Sequence, residues 1–256
     1  MKLTKWIVGF LSILVLASAV PCKSQVPECQ VSITVQVVLV ADGTPESAAI
    51  PSTQTAAYFP TLLAGRSYSA KITTGEVSNM APTIAMCDLM GNLVPSTDTT
   101  GTHPQVLSVV GRRLSITPAV TNTYIIRFTN NSTLGDHLFT GVVEETTLFN
   151  PGWSTGGGFN TFYSLLNTTN TTINATLKLF NLAGTELSST NLMIPAGQLT
   201  ATNTSALGIA AGQAGFATLT HDGPPGAILP DAAIANFGTS PAAIIPAKFQ
   251  TARQQR

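Results

Sequence analysis

The sequence predicts an all-β protein, two tandem β-sandwiches behind an export signal, and three observations lead there. Charged residues make up only 9% of the 256 positions, against a usual quarter, so long helices would lack the Glu, Lys and Arg of a solvated face. Threonine occurs 37 times, beside 21 glycines and 16 prolines. Thr is stiff at Cβ and favours strands, whereas Gly and Pro punctuate turns. Apolar residues also recur with period two in short runs bounded by turn signals. Hydrophobic residues reach 44%, too many for a disordered polyelectrolyte. Twelve basic side chains against twelve acidic ones leave no surplus to neutralise phosphates, which argues against a nucleic-acid partner.

Lys2 and Lys5 precede the apolar run Ile7 to Leu16, the charge and length pattern of a signal peptide. A spanning helix needs about 20 such residues, and this run stops at Pro21, so no membrane span is expected in the mature chain. Cleavage after Ser24, with Cys22 at −3, makes residues 1–24 the signal; cleavage after Ala19 is the alternative. Pro21 before Cys22 speaks against lipidation. The mature protein is expected to be secreted, extracellular or periplasmic. Cutting after Ser24 leaves two cysteines, Cys29 and Cys87, an even pair expected to form a disulfide in an oxidising compartment. Their separation matches no zinc spacing, and two separate buried thiols are the alternative. The face to which Cys87 points stays open at this stage.

Gln30 to Val40 alternates as a half-buried strand, ended by Asp42-Gly43-Thr44-Pro45, and the polar stretch to Thr55 reads as loop. Ala57 to Leu63 and Ser67 to Thr73 are strands around Ala64-Gly65-Arg66. Thr83 to Leu89 leads to a turn at Gly91-Asn92. Pro95 to Gln105 reads as loop, Val106 to Val110 and Arg113 to Ile116 as strands flanking Gly111. Thr123 to Thr129 and Leu138 to Val143 complete the first set. From Glu145 the pattern restarts: Thr161 to Asn167, Ile173 to Phe180, Glu186 to Ile194, Phe216 to His221 and Ala232 to Phe237. Ser205 to Ala211 and the last few residues are short helical candidates. The domains are therefore set at 29–144 and 145–250, with a tail at 251–256 and Glu144-Glu145 as a solvated linker. Ile84 to Thr97 and Leu177 to Thr190 align without gaps at an offset of 93 residues, sharing Leu89/Leu182, Gly91/Gly184, Ser96/Ser189 and Thr97/Thr190.

Tyr58-Phe59, Gly65-Arg66-Ser67-Tyr68, Asp88 to Gly91, and Pro118 to Arg127 give residues 30 to 143 a pattern that resembles the bacterial pre-peptidase C-terminal domain. That family is a small jelly-roll-like sandwich found in exported proteins. The resemblance implies a bacterial, accessory, non-catalytic module. The chain lacks the family's Asp before the aromatic strand and its acidic cluster after the hairpin, so no calcium role carries over. The second half reads as a generic immunoglobulin-like secreted module.

Gly152-Trp153-Ser154-Thr155-Gly156 matches the nucleophile-elbow expression, with Glu186 and His221 following in triad order. That motif works as a strand-to-helix turn above a parallel sheet. Here Pro151 precedes it and Gly157-Gly158 follow, so a glycine-rich connection is the expectation, and no catalytic residue is assigned. His103, His137 and His221 share no ligand spacing; they read as exposed, with no metal and no cofactor. Acceptor sequons begin at Asn130, Asn131, Asn167, Asn170, Asn174 and Asn203, which in a bacterial chain are Thr/Asn-rich surface. Three roles remain. The first is a secreted or cell-surface β-sandwich protein with a binding, structural or adhesive role, its partner left open between an extracellular glycan and another exported protein. The second is an accessory subunit docking on another exported protein; a hydrolase using Ser154 ranks last.

Overall fold

The computed structural model describes residues 29, 33–37, 41–74, 83–94, 97–98, 110–130 and 135–252. The expected signal peptide, His103, most of the expected 95–105 loop and the last four residues lie outside them. The described chain is all β, with no α-helix. In the first half the strands are β1 (Val35–Val37), β2 (Glu46–Ile50), β3 (Thr55–Tyr58), β4 (Thr61–Leu62), β5 (Tyr68–Thr74) and β6 (Thr83–Cys87). They continue as β7 (Thr97–Asp98), β8 (Val110–Ile116), β9 (Asn122–Thr123), β10 (Ile125–Thr129) and β11 (His137–Glu145). In the second half they are β12 (Leu148–Ser154), β13 (Asn160–Asn167), β14 (Ile173–Asn181), β15 (Glu186–Ile194) and β16 (Leu199–Asn203). β17 (Ala214–His221), β18 (Ile228–Asn236), β19 (Ala243–Pro246) and β20 (Gln250–Thr251) complete it.

Each half stacks two sheets. The first has the orders β1-β3-β10-β6 and β2-β11-β5-β8-β7, the second β15-β14-β17-β12-β20 and β16-β13-β18-β19, and β4 pairs with β9 separately. Side chains of both sheets meet in one buried cluster per half. Tyr58, Met86, Ile126 and Phe128 face Ile72, Ile116, Phe139 and Val143. Trp153, Leu177, Leu179 and Leu219 face Tyr163, Leu165 and Ile228. Alternation explains why: on β13, Thr161, Tyr163, Leu165 and Asn167 are buried while their neighbours are not, and alternate side chains reach one side of a strand.

The halves repeat one topology. The order β6-β10-β3 corresponds to β14-β17-β12, and β2-β11-β5-β8 to β19-β18-β13-β16. The 93-residue offset aligns two turns of the same construction. Asp88 N–H donates to Asn92 O (2.9 Å) and Gly91 N–H to Asp88 O (3.1 Å); Asn181 N–H donates to Thr185 O (2.9 Å) and Gly184 N–H to Asn181 O (3.0 Å). Gly91 and Gly184 have φ of 82° and 83°, the left-handed region open to glycine. The edge strands differ: β2 precedes its sheet-mates in the chain, whereas β19 follows them, and β1 lies parallel to β3 while β20 lies antiparallel to β12.

Several expectations are corrected. The expected loop before Thr55 holds β2, an edge strand whose Ser and Ala side chains carry no apolar alternation but whose backbone pairs with β11. Ala57 to Leu63 is two strands, because Pro60 has no N–H for a ladder; its carbonyl accepts from Tyr124 N–H instead (3.0 Å). Thr97–Asp98, expected in a loop, pairs with β8, and β8 runs unbroken through Gly111. Glu144-Glu145 is no solvated linker: both belong to β11, and the link is Thr146-Thr147, both buried. Ser205 to Ala211 forms turns rather than a helix, with Gly208 at φ 75° interrupting it. The tail expected from 251 begins later, since Thr251 belongs to β20.

Candidate functional site

The Gly152-to-Gly156 motif lies at the end of β12 in an antiparallel sheet. The register shifts between Asn150 and Trp153, a bulge that accommodates Pro151 and Gly152. Trp153 is a core residue whose Nε1 donates to Phe216 O (2.9 Å). Ser154 Oγ accepts from Gly156 N–H (3.1 Å), and a 3-10 turn at Gly156–Gly158 follows. Ser154 pairs with Ala214, at the opposite end of β17 from His221. Seven residues at about 3.3 Å each separate the two by about 23 Å. Glu186 holds Lys178 Nζ at 2.9 Å. The structure brings none of the three together.

His137 and His221 are not exposed as expected. His137 lies in β11 and His221 ends β17, both buried. His221 sits where the halves meet, and the hub there is Ser67, fully buried. Ser67 Oγ accepts from Thr146 Oγ1 (2.9 Å) and His221 N–H (3.3 Å), while Ser67 N–H donates to Thr147 Oγ1 (2.8 Å). Beside it, the Arg66 guanidinium pairs with Glu145 (3.2 Å) and lies 5.2 Å from the Phe149 ring centre. Arg113 Nη1 donates to Asp222 O (3.2 Å). Burial pushes the His221 imidazole down to about 4, against the opposing pull of Asp222, because a buried site disfavours the charged form. A cleft of 380 Å³ opens here, lined by Asp42, Glu144, Leu148, His221, Leu229 and Phe249 among others. Among the described residues, no three His, Cys, Asp or Glu side chains converge as a metal ion would require.

Cys29 and Cys87 are bridged, with Cα atoms 5.8 Å apart, inside the span a disulfide needs. The open question of the Cys87 face has a clear answer. Cys87 points to the outer side of its sheet, where Cys29, Ala57 and Ile125 form a small cluster of their own, with Ile33 and Phe59 against it. Of the sequons, Asn167 is fully buried and its Nδ2 donates to Thr171 O (2.7 Å) and Ile194 O (2.9 Å), a structural role. Asn170 is exposed, and Asn131 lies outside the described residues.

The feature that sequence reasoning missed is the outer face of β16-β13-β18-β19. The registers place Leu199, Leu166 and Leu229 in one row, Ala201, Ser164 and Asp231 in the next, and Asn203, Phe162, Ala233 and Pro246 beyond. Ile244 joins from β19. The Phe162 and Phe237 rings meet edge-on at 5.7 Å. Leu199, Leu229, Phe237 and Ile244 are each 57–66% exposed, and Asp231 is the single charge in these rows. A signal did exist: Phe162, Tyr163, Leu165 and Leu166 put apolar side chains on both sides of one strand, the mark of a strand covered on both faces.

Neither a family model nor a curated protein matches this chain. Among the described residues, no helix is long and apolar enough to cross a membrane.

Proposed function

We propose that this is an exported, non-catalytic protein of bacterial type with a binding or structural role, docking through the outer face of β16-β13-β18-β19. The observation that carries the reading is that face: contiguous apolar patches rimmed by polar residues mark interaction sites, and this one spans four strands. Export rests on the charged and apolar pattern of residues 1–24. The pre-peptidase C-terminal resemblance of the first half supports an accessory role, and the separation of Ser154 from His221 speaks against a hydrolase built on that pair. Between the two partner classes, the face favours another exported protein over a glycan. A sugar needs many hydrogen-bonding groups, and these rows offer Ser164, Asp231 and Asn203, whose Oδ1 already accepts from Asn160 Nδ2 (3.2 Å) and Ala206 N–H (2.9 Å).

The test is a photo-crosslinking residue at position 229, or at 138 as a control, in the protein exported by its own host. Crosslinks from 229 and none from 138 are expected. A protein that crosslinks from neither position loses this reading. Amino-terminal sequencing of the exported protein locates the cleavage, expected before Gln25; a retained Met1 contradicts export by this route.

A further inference from the structure

The two cores are separate. Among the described residues, no buried apolar cluster takes side chains from both halves. What joins the halves is a small polar junction. Ser67 Oγ accepts from Thr146 Oγ1 and His221 N–H, Ser67 N–H donates to Thr147 Oγ1, and Thr146 N–H donates to Ser67 O (2.8 Å). Arg113 of β8 reaches across to the Asp222 carbonyl, and Arg66 to the Phe149 ring. Along the chain, β11 passes to β12 through Thr146 and Thr147 alone. A small polar contact between compact units yields before their cores do, and a short connection of this kind absorbs the backbone change.

His221 lies inside this junction, 5% exposed. Around it stand Asp222 beside it in the chain, Arg113 from β8, Arg66 and Glu145 next to Ser67, and Glu144 and Asp42 along the cleft. β14 sets Ala175 opposite His221 and brings no charge there, and β20 meets the cleft with Thr251. Burial keeps the imidazole neutral; Asp222 pulls the other way, and Arg113 adds to the effect of burial. A proton added at Nδ1, which is buried and makes no hydrogen bond, charges a site shut off from water. Opening the junction hydrates the ring and lets it take the proton at its ordinary value of about 6.5. The closed form is therefore favoured above that value, and its advantage is lost as the pH falls from there towards about 4.

We propose that the junction is an acid-operated hinge: proton uptake by His221 releases it from Ser67, and the two sandwiches swing apart about Thr146-Thr147, each with its own core closed. The device is independent of which face docks a partner.

The experiment is hydrogen exchange on the purified mature chain from about pH 7 to about pH 4, with rates corrected for the pH dependence of exchange itself. The amides of Ser67, Thr146 and His221 report the junction, and those of Ile126 and Leu177 report the two cores. Junction protection is expected to fall about a hundredfold across that range, with the core amides slower than the junction at every pH. Trp153, the one tryptophan beyond residue 24, is a core residue of the second half, and its emission is expected to stay that of a buried indole throughout. His221→Gln, uncharged at both ends of the range, is expected to cut the hundredfold change to less than about threefold. Arg113→Gln is a second variant that leaves His221 in place. It is expected to raise junction exchange at about pH 7, where the bond to Asp222 O is gone, and to shrink the acid response, because the closed junction then resists the proton less. Junction protection that is equal at the two ends overturns the inference, as does a His221→Gln protein with the full acid response. Junction amides that exchange in step with Ile126 and Leu177 report unfolding of the whole molecule and overturn it as well.

Discussion

Individual side chains carry several sharp consequences. A Cβ on Gly215 would overlap the Phe180 carbonyl, a backbone atom with no room to yield, because β17 lies against β14 there. Gly215→Ala is expected to destabilise the protein by several kcal/mol, as overpacking against backbone does, seen as a lower denaturant midpoint. His221 is held neutral, with its pKa pushed down to about 4 by burial. The unfolded chain therefore takes up this proton first as pH falls, and the stability present above about pH 6.5 is lost between there and pH 4. Asp222, Arg113, Arg66, Glu145, Glu144 and Asp42 surround the same junction. His221→Gln removes the histidine contribution alone: the fall in stability from neutral to acid pH is expected to shrink by up to about 3 kcal/mol, measured by urea unfolding at both ends. The Cys29–Cys87 bridge closes a loop of 58 residues, worth about 4 kcal/mol in the chain-entropy account. Denatured, unreduced mature protein is expected to titrate no free thiol, and reduction is expected to lower the midpoint accordingly; two free thiols would refute the bridge.

At the scale of elements, the sequence was legible where an alternating strand sat between recognisable turns. β14 and β15 lie within a residue of their expected bounds for that reason. The repeat was visible as four identities, and the structure supplies its physical meaning. Asp88 Oδ1 accepts from Met90 and Asn92 N–H (2.9 and 2.8 Å), as Asn181 Oδ1 accepts from Ala183 and Thr185 N–H (3.0 and 2.9 Å). The Asn92 side chain and backbone together hold the Asp88 carboxyl below its ordinary range. Asn181→Ala is expected to cost roughly 1 to 2 kcal/mol for two orphaned donors, while Asn181→Asp is tolerated, because an aspartate does the same work at position 88; paired thermal melts check it. What stayed hidden were edges and interruptions. β2, β16 and β19 are rich in Ala, Ser, Thr and Pro, so their pairing depends on a neighbour rather than on their own pattern. β12 was concealed by Pro151 and Gly152, which a bulge absorbs. The docking face was overlooked because a row of outward residues exists only once β13, β16, β18 and β19 are set side by side.

For the whole molecule, one sandwich topology occurs twice, and the two copies present different outer faces. The first half turns charged and hydroxyl side chains outward and carries the bridge to Cys29. The second half, with Lys178, Glu186, Asp222, Asp231 and Lys248 as its charged residues between 146 and 252, turns apolar rows outward. The Thr146-Thr147 link is buried with Ser67 and His221 where the halves meet. The central claim is that the face of β16-β13-β18-β19 is covered when the protein is in place. Hydroxyl-radical footprinting of the exported protein, as recovered from its host, tests this most directly. The account predicts that Leu199, Leu229, Phe237 and Ile244 are protected while Leu138 and Met193, of comparable exposure in the single chain, are oxidised. Equal labelling of both sets would contradict it.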